Sequence, residues 1–436
     1  MFNWLGNHKI GILGASNSGK TILLTSLLWH LENHSPKWFD IIIPRLFKKD
    51  TGGKKVESFK LLKEVGDHRF CYTQHKNTLL MDHCWPEKTM DYAIAECTYS
   101  ISGTIADRHV VFVDIPGERI SDILIWKAKN YRDWVGKIYK FWDCNPENKR
   151  VMALYRDSAD NVESTLEQLT ETYKRSMWGM LERFCQITPS TYYLGTDGSM
   201  LGDSNNDDKE TAILERHIWG DRDLIPIPEP WCKAHPEESR QFEKIFVAYR
   251  KQVLKPLFNE VDDCDNFIFC IDIPGILNNG PTCLMNTQQT FKDFIGVLAP
   301  SKFTRIMNFI GRNYPRLAYV ATKSDMVWDK DALEMLLEDF IGPFNFAGIQ
   351  KKCFVCSACE SSEEKSRNGE NILVGTDCDN RQKLITLPKK LPAEWPAKWD
   401  PTEYDFPEIA PKLYAFRPPK QYNLNEVYNF VVEGKE

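Results

Sequence analysis

Residues Gly14-Ala15-Ser16-Asn17-Ser18-Gly19-Lys20-Thr21 match the pattern G-x-x-x-x-G-K-[ST] in full. Glycines at both ends let such a loop wrap, so that backbone N–H groups and the positive end of a following helix face phosphate oxygens. Lys20 then reaches the β- and γ-phosphates, and the Thr21 hydroxyl is a natural ligand for Mg²⁺. The run Val110-Val-Phe-Val-Asp114-Ile-Pro-Gly117-Glu118 ends a β-prone stretch in an acid and then a glycine. Asp114 is suited to hold Mg²⁺ through water, and the Gly117 N–H to meet the γ-phosphate. The competing reading of such an Asp is a turn residue or helix cap. Asp-Ile-Pro-Gly recurs at Asp272–Gly275, yet only one copy can sit beside the γ-phosphate. Asp114 follows a predicted hairpin and precedes a helix, whereas Asp272 lies one βα unit before the segment that would read a base. Asp272 is therefore assigned to a strand end with a structural turn role. Thr89, in Trp85-Pro86-Glu87-Lys88-Thr89, lies where a switch segment would offer a hydroxyl to Mg²⁺ and the γ-phosphate.

A second group of residues has the chemistry of base recognition. Thr322-Lys323-Ser324-Asp325 fits the pattern [NT]-K-x-D. Asp325 can accept from both the ring N–H and the exocyclic amino group of guanine, while the Lys323 stem covers the ring face. Adenine lacks both donors, and a carboxylate left unpaired by the wrong base discriminates strongly. Val355-Cys356-Ser357-Ala358-Cys359 resembles a Ser-Ala loop that presents a backbone N–H to the guanine O6; its bland alternative is small residues at a strand end. Together the two groups imply GTP or GDP with Mg²⁺.

These residues need a parallel sheet to bring them together. Lys9–Leu13 reads as strand and Thr21–Leu31 as helix; Tyr92–Ile101 and Val110–Asp114 read as a hairpin whose second strand is buried. Phe267–Ile271 and Leu317–Ala321 are short buried-strand runs, each followed by helix-like sequence. The expected fold is α/β, a three-layer P-loop NTPase sheet of the GTPase type with an α-helical insertion. The expected division is 1–120 for the first part of the nucleotide domain and 121–260 for a mainly helical insertion. Residues 261–436 form the second part, with a Pro- and Trp-rich C-terminal extension. Helical spacing runs from Ile120 to Trp142, Val162 to Phe184 and Glu238 to Phe258. Glu360–Gln382 reads as a surface loop or strand pair, and the region from Leu391 as extended chain packed on the surface.

With 42% hydrophobic and 27% charged residues in a chain of 436, the composition is that of a folded globular protein. A net charge of −6 argues against a general nucleic-acid binder, which needs a basic surface. Met1–Gly11 carries no basic segment followed by an apolar run, and no stretch reaches the roughly 18 to 20 apolar residues of a spanning helix. The expectation is a cytoplasmic protein whose membrane contact is at most peripheral. The 13 scattered cysteines suit reduced thiols. Cys353, Cys356 and Cys359 lack a second cluster to complete a zinc site, and His30 with His34 does not form His-Glu-x-x-His.

Taken together, the sequence resembles the YcjX family of bacterial stress-associated P-loop GTPases over nearly the whole chain. The resemblance rests on the 14–21 loop, Trp85-Pro86-x-x-Thr89, Asp114–Glu118, Cys264-Asp265, Asn279-Gly280-Pro281, Ala321–Asp325 and the Pro- and Trp-rich tail. It implies a GTPase domain with a helical insertion, and a functional association with an inner-membrane partner protein. Ile115 and Arg119 depart from the aromatic and the Trp common in that family. Glu118 stands where many GTPases carry a water-positioning glutamine, and its negative charge near an anionic transition state predicts slow turnover. The competing readings are an ATPase or other P-loop phosphotransferase in which 322–325 is a plain turn, and a nucleotide-binding scaffold with negligible hydrolysis.

Overall fold

The structure is a computed structural model. It describes residues 7–33, 56–62, 68–86, 91–101, 107–184, 224–307, 315–327, 329–344, 350–367, 370–377, 379, 381–385, 391–404, 406–413 and 417–433. Two compact units are present: Met1–Pro116 with Glu260–Asn278 and Thr304–Glu436, and Gly117–Asn259 with Asn279–Phe303.

The first unit is built on a seven-stranded sheet of order β2-β3-β4-β1-β5-β6-β7. Its strands are β1 (Asn7–Gly14), β2 (Val56–Leu61), β3 (Ala93–Ile101), β4 (Arg108–Asp114), β5 (Asn266–Ile271), β6 (Arg316–Ala321) and β7 (Gln350–Val355). Strands β4, β1, β5, β6 and β7 run parallel, while β3 is antiparallel to both β4 and β2. The sequence of β5, Asn-Phe-Ile-Phe-Cys-Ile, is buried at every position, as a central parallel strand covered on both faces must be. Edge strand β2 alternates weakly and is half exposed, which explains why no periodic signal marks it.

Helix α1 (Lys20–Glu32) follows β1 and buries Leu23, Leu24, Leu27, Leu28 and Leu31 on the sheet. The same core cluster contains Ile10, Ile12, Phe112, Ile268, Val320 and the C-terminal Leu424, Val427, Tyr428 and Val431. Those last residues belong to the helical segment Leu424–Tyr428 and its continuation Asn429–Glu433. Helix Lys330–Ile341 packs against β6 and β7; its Leu333, Leu336 and Leu337 are buried outside that cluster. A mostly parallel mixed sheet with helices on both faces is compatible with a three-layer α/β fold.

Residues 360–385 form more than a strand pair: β8 (Glu363–Arg367), β9 (Glu370–Thr376) and β10 (Gln382–Ile385) make a separate antiparallel sheet. Among the described residues, the tail from Leu391 to Leu413 then runs without regular structure apart from one short turn of helix at Pro401–Glu403. Its indoles anchor it, since Trp395 Nε1 donates to the Leu336 carbonyl and Trp399 Nε1 to that of Leu277, each at 2.8 Å. Trp85 Nε1 likewise donates to Ile409 at 2.7 Å.

His30, in the last turn of α1, is buried and donates from Nε2 to the Pro419 carbonyl at 3.0 Å. Burial depresses its pKa to about 4 from 6.5, against the opposing pull of that hydrogen bond. A histidine that is harder to protonate in the folded chain lends stability above pH 6.5, lost as pH falls towards 4. A shift of this size is worth about 3 kcal/mol. Urea unfolding across that pH range is expected to show a steep loss of stability, flattened in His30→Gln.

The described residues of the second unit form helices. In Tyr131–Asp143 the residues Tyr131, Trp134, Val135, Ile138, Phe141 and Trp142 form one buried face, and the Asn130 side chain caps the start by accepting from the Asp133 N–H. Tyr131 stacks on Phe242 of helix Pro236–Tyr249, with ring centroids 6.0 Å apart. The segment Asn279–Phe303 joins this unit through a reciprocal amide pair, Asn148 with Asn286, at 2.8 and 3.0 Å. Chain order alone would leave that segment with the sheet.

Candidate nucleotide site

The parallel strands of the first unit all end on one edge of the sheet. Register places Asp114 beside Ile12, Gly14 beside Cys270, Ile271 beside Ala321, and Ala321 beside Val355. After β1 the chain crosses to β2–β4 on one side; after β4 it crosses to β5 on the other. Strand order therefore reverses at β1, and crevices at such a reversal, outside the carboxyl ends of the strands, are where open α/β sheets bind ligands.

The glycine–lysine loop joins β1 to α1 at that point. A Cβ at position 14 would stand 2.5 Å from the Cys270 carbonyl oxygen, so only glycine permits this approach to β5. Gly19 takes φ 83° at the helix start, a left-handed conformation that glycine adopts without strain. Asn17 is also left-handed, at φ 64°. Lys20 is buried and donates from Nζ to the carbonyls of Gly14 at 3.0 Å and Ala15 at 2.9 Å, so its charge is folded over the loop. Thr21 Oγ1 donates to Asp114 Oδ2 at 3.1 Å, and the Asp114 side chain is fully buried. Beneath them lies Cys270, whose thiol burial pushes up to about 12, with Lys20 pulling it down and Asp114 pushing it further up. It is a neutral packing group at ordinary pH.

Thr322 ties the other end of the arrangement to this loop: its hydroxyl donates to the Ser18 carbonyl at 2.9 Å. Helix α1 makes a second tie, from Ser26 Oγ to the Ala358 carbonyl at 2.5 Å. Lys323 has a left-handed backbone, φ 58°, and its Nζ meets Asp272 Oδ2 at 2.5 Å. Asp272 Oδ1 also accepts from the Gly275 N–H at 2.9 Å. That is the turn role expected for it, joined by a pairing with Lys323 that the duplicated motif gave no reason to expect.

Asp325 accepts from Ser357 Oγ on Oδ1 at 2.8 Å, and on Oδ2 from both the N–H and the hydroxyl of Ser361, at 2.8 and 2.6 Å. Ser362 Oγ donates to its main-chain oxygen at 2.6 Å. Ser361 and Ser362 are partners of Asp325 that motif reading missed. A serine pair has no period of its own, and the link to Asp325 exists only in the fold.

The structure thus brings together Gly14–Thr21, Asp114, Thr322–Asp325, Ser357 and Ala358 within one unit. Thr89 lies outside the described residues. Gly117 and Glu118 open a short helix, Gly117–Ile120, of the second unit. Arg119, which stands where the YcjX family commonly has Trp, donates to the Tyr249 hydroxyl at 2.6 Å and lies 3.7 Å from Asp122, both in the second unit.

The description of the YcjX-like family (DUF463) matches residues 8–435. The chain belongs to the YcjX-like family. A search of curated proteins returns no match. In this YcjX-like protein no helix among the described residues is long and apolar enough to cross a membrane. Nor do the described residues hold a cluster of three or more His, Cys, Asp or Glu able to bind a metal unaided. Cys353 and Cys356 are protonated thiols, burial pushing Cys353 up to about 12 and Cys356 well above its ordinary value.

Proposed function

We propose that this YcjX-like protein binds GTP and GDP together with Mg²⁺ and hydrolyses GTP slowly, as a nucleotide-dependent switch. The observation that carries the reading is the Thr322 hydroxyl on the Ser18 carbonyl, because it joins a loop built for phosphate to a segment built for guanine. In this reading the loop N–H groups of Ala15 to Gly19 and the start of α1 hold the phosphates, and Lys20 leaves its carbonyls for the β- and γ-oxygens. Asp325 accepts from the base, Lys323 lies along the ring, and Ala358 offers its N–H to O6.

Thr21 and Asp114 offer only oxygen, the donor type Mg²⁺ takes, and would hold it together with substrate phosphate oxygens; Thr89 is added as a ligand on the sequence motif alone. When bound, the ion neutralises charge developing on those oxygens. The chain's own part is to fix the triphosphate in line for attack by water; the sequence motif alone assigns Gly117 to the γ-phosphate and Glu118 to the water. A carboxylate in that place orients water yet opposes the growing negative charge, which keeps turnover slow. We place this work in the cytoplasm from the sequence, and the family resemblance adds a stress-related process and an inner-membrane partner.

Asp325→Asn tests the base end. Losing a charged acceptor is expected to reduce the preference for GTP over ATP by roughly 10- to 100-fold in equilibrium competition. An unchanged ratio in the variant would favour an ATPase in which Thr322–Asp325 is only a turn.

A further inference from the structure

We infer that Ser361 sets the base specificity of this site by leaving Asp325 a single acceptor position for the purine, so that the site reads the ring N–H and not the exocyclic amino group. The inference rests on the guanine reading given above. A carboxylate has about four lone-pair positions, two on each oxygen. Among the described residues, Ser361 supplies both donors on Oδ2, through its N–H and its hydroxyl, and Ser357 supplies one on Oδ1. One position on Oδ1 is left. Guanine offers two parallel donors, its ring N–H and its amino group, and using both requires an open position on each oxygen.

Ser361 is not on a loose loop. It is 5% exposed, and the residue before it is held at both backbone atoms. The Glu360 N–H donates to the Lys420 carbonyl at 2.9 Å, and the Lys412 N–H donates to the Glu360 carbonyl at 2.8 Å. Lys420 Nζ also reaches both oxygens of the Glu360 carboxylate at 3.1 Å. Displacing Ser361 to admit a second base donor therefore means disturbing the C-terminal tail. A base with the ring N–H alone, hypoxanthine, meets the same single acceptor as guanine. Adenine, whose ring nitrogen there is an acceptor, is still rejected.

The test is equilibrium binding of GTP, ITP and ATP with Mg²⁺ to the full chain and to Ser361→Ala and Ser361→Thr. GTP and ITP are expected to bind the unaltered protein within about threefold of each other, both more tightly than ATP. Ser361→Ala frees one position on Oδ2 while the backbone N–H keeps the other, and is expected to raise the GTP-to-ITP ratio by roughly tenfold, the worth of one hydrogen bond to a charged acceptor. Ser361→Thr keeps the hydroxyl and is expected to keep the original ratio, which separates specificity from a folding defect. A preference for GTP over ITP of tenfold or more in the unaltered protein overturns the inference, as does a Ser361→Ala ratio that does not move. If neither GTP nor ITP is held more tightly than ATP, the guanine reading itself falls.

Discussion

A chain ending at Asn423 is expected to lose the cooperative unfolding transition of its sheet-bearing unit. The missing segment carries Leu424, Val427, Tyr428 and Val431, each fully buried, with Phe430 and Val432 at 3% exposure. Fully burying such a side chain is worth about 1.5 to 3 kcal/mol, so the six together contribute at most roughly 9 to 18 kcal/mol. That is an upper bound, because a denatured chain already hides part of its apolar surface. It is nonetheless comparable with the roughly 5 to 15 kcal/mol by which a whole domain is stable. Polar partners are lost as well. Asn266 Nδ2 donates to the Val431 carbonyl at 2.7 Å, and the Tyr99 and Tyr428 hydroxyls are hydrogen-bonded to each other in the core. Urea titration followed by near-ultraviolet circular dichroism reads the effect. A truncated chain that unfolds at the same urea concentration as the intact one would mean that the segment is a surface appendage.

The second large effect is expected from Lys20→Ala. In the proposed site the ammonium makes charge-assisted hydrogen bonds to two phosphates, each worth roughly 1.5 to 3 kcal/mol. Affinity for GTP is therefore expected to fall by about 10² to 10⁴, and single-turnover hydrolysis to fall further, because Lys20 also faces charge that grows at the γ-phosphate. Removing Lys20 gives up its hydrogen bonds to the Gly14 and Ala15 carbonyls, each worth roughly 1 kcal/mol or a little more, so the melting temperature is expected to move by only a few degrees. Calorimetric titration with GTP and Mg²⁺ gives the answer. Equal affinity in the variant would remove the glycine–lysine loop from the site.

Much of the sheet could be read from the residues because parallel strands buried on both faces are written as continuous apolar runs. Val110–Asp114, Phe267–Ile271 and Leu317–Ala321 are such runs, and each sits within a strand of the structure. The loop motif between β1 and α1 was equally legible, since its glycines answer to local backbone geometry. The Leu424–Glu433 segment was not. It is short and follows a Pro-rich stretch, and it is helical because the sheet buries it rather than because its own propensity is high. The Asp272–Lys323 pair and the serines around Asp325 were hidden for a related reason. Ser361 lies 36 positions beyond Asp325, and no pattern of spacing marks a contact made only when β7 and the tail close over the strand ends.

The placement of that last segment also has a consequence for biosynthesis. Strand β1 lies at the middle of the sheet, but its neighbour β5 is translated only after residues 117–259 of the second unit, and the apolar cover at 424–433 follows every strand of the sheet. While the polypeptide is still tethered to the ribosome, the N-terminal portion can pair some of its edges but cannot hide its oily face. Covering of the sheet must wait until residues 424–433 have been made, so the nascent chain depends on holding factors for longer than a protein whose interior is sealed by early residues.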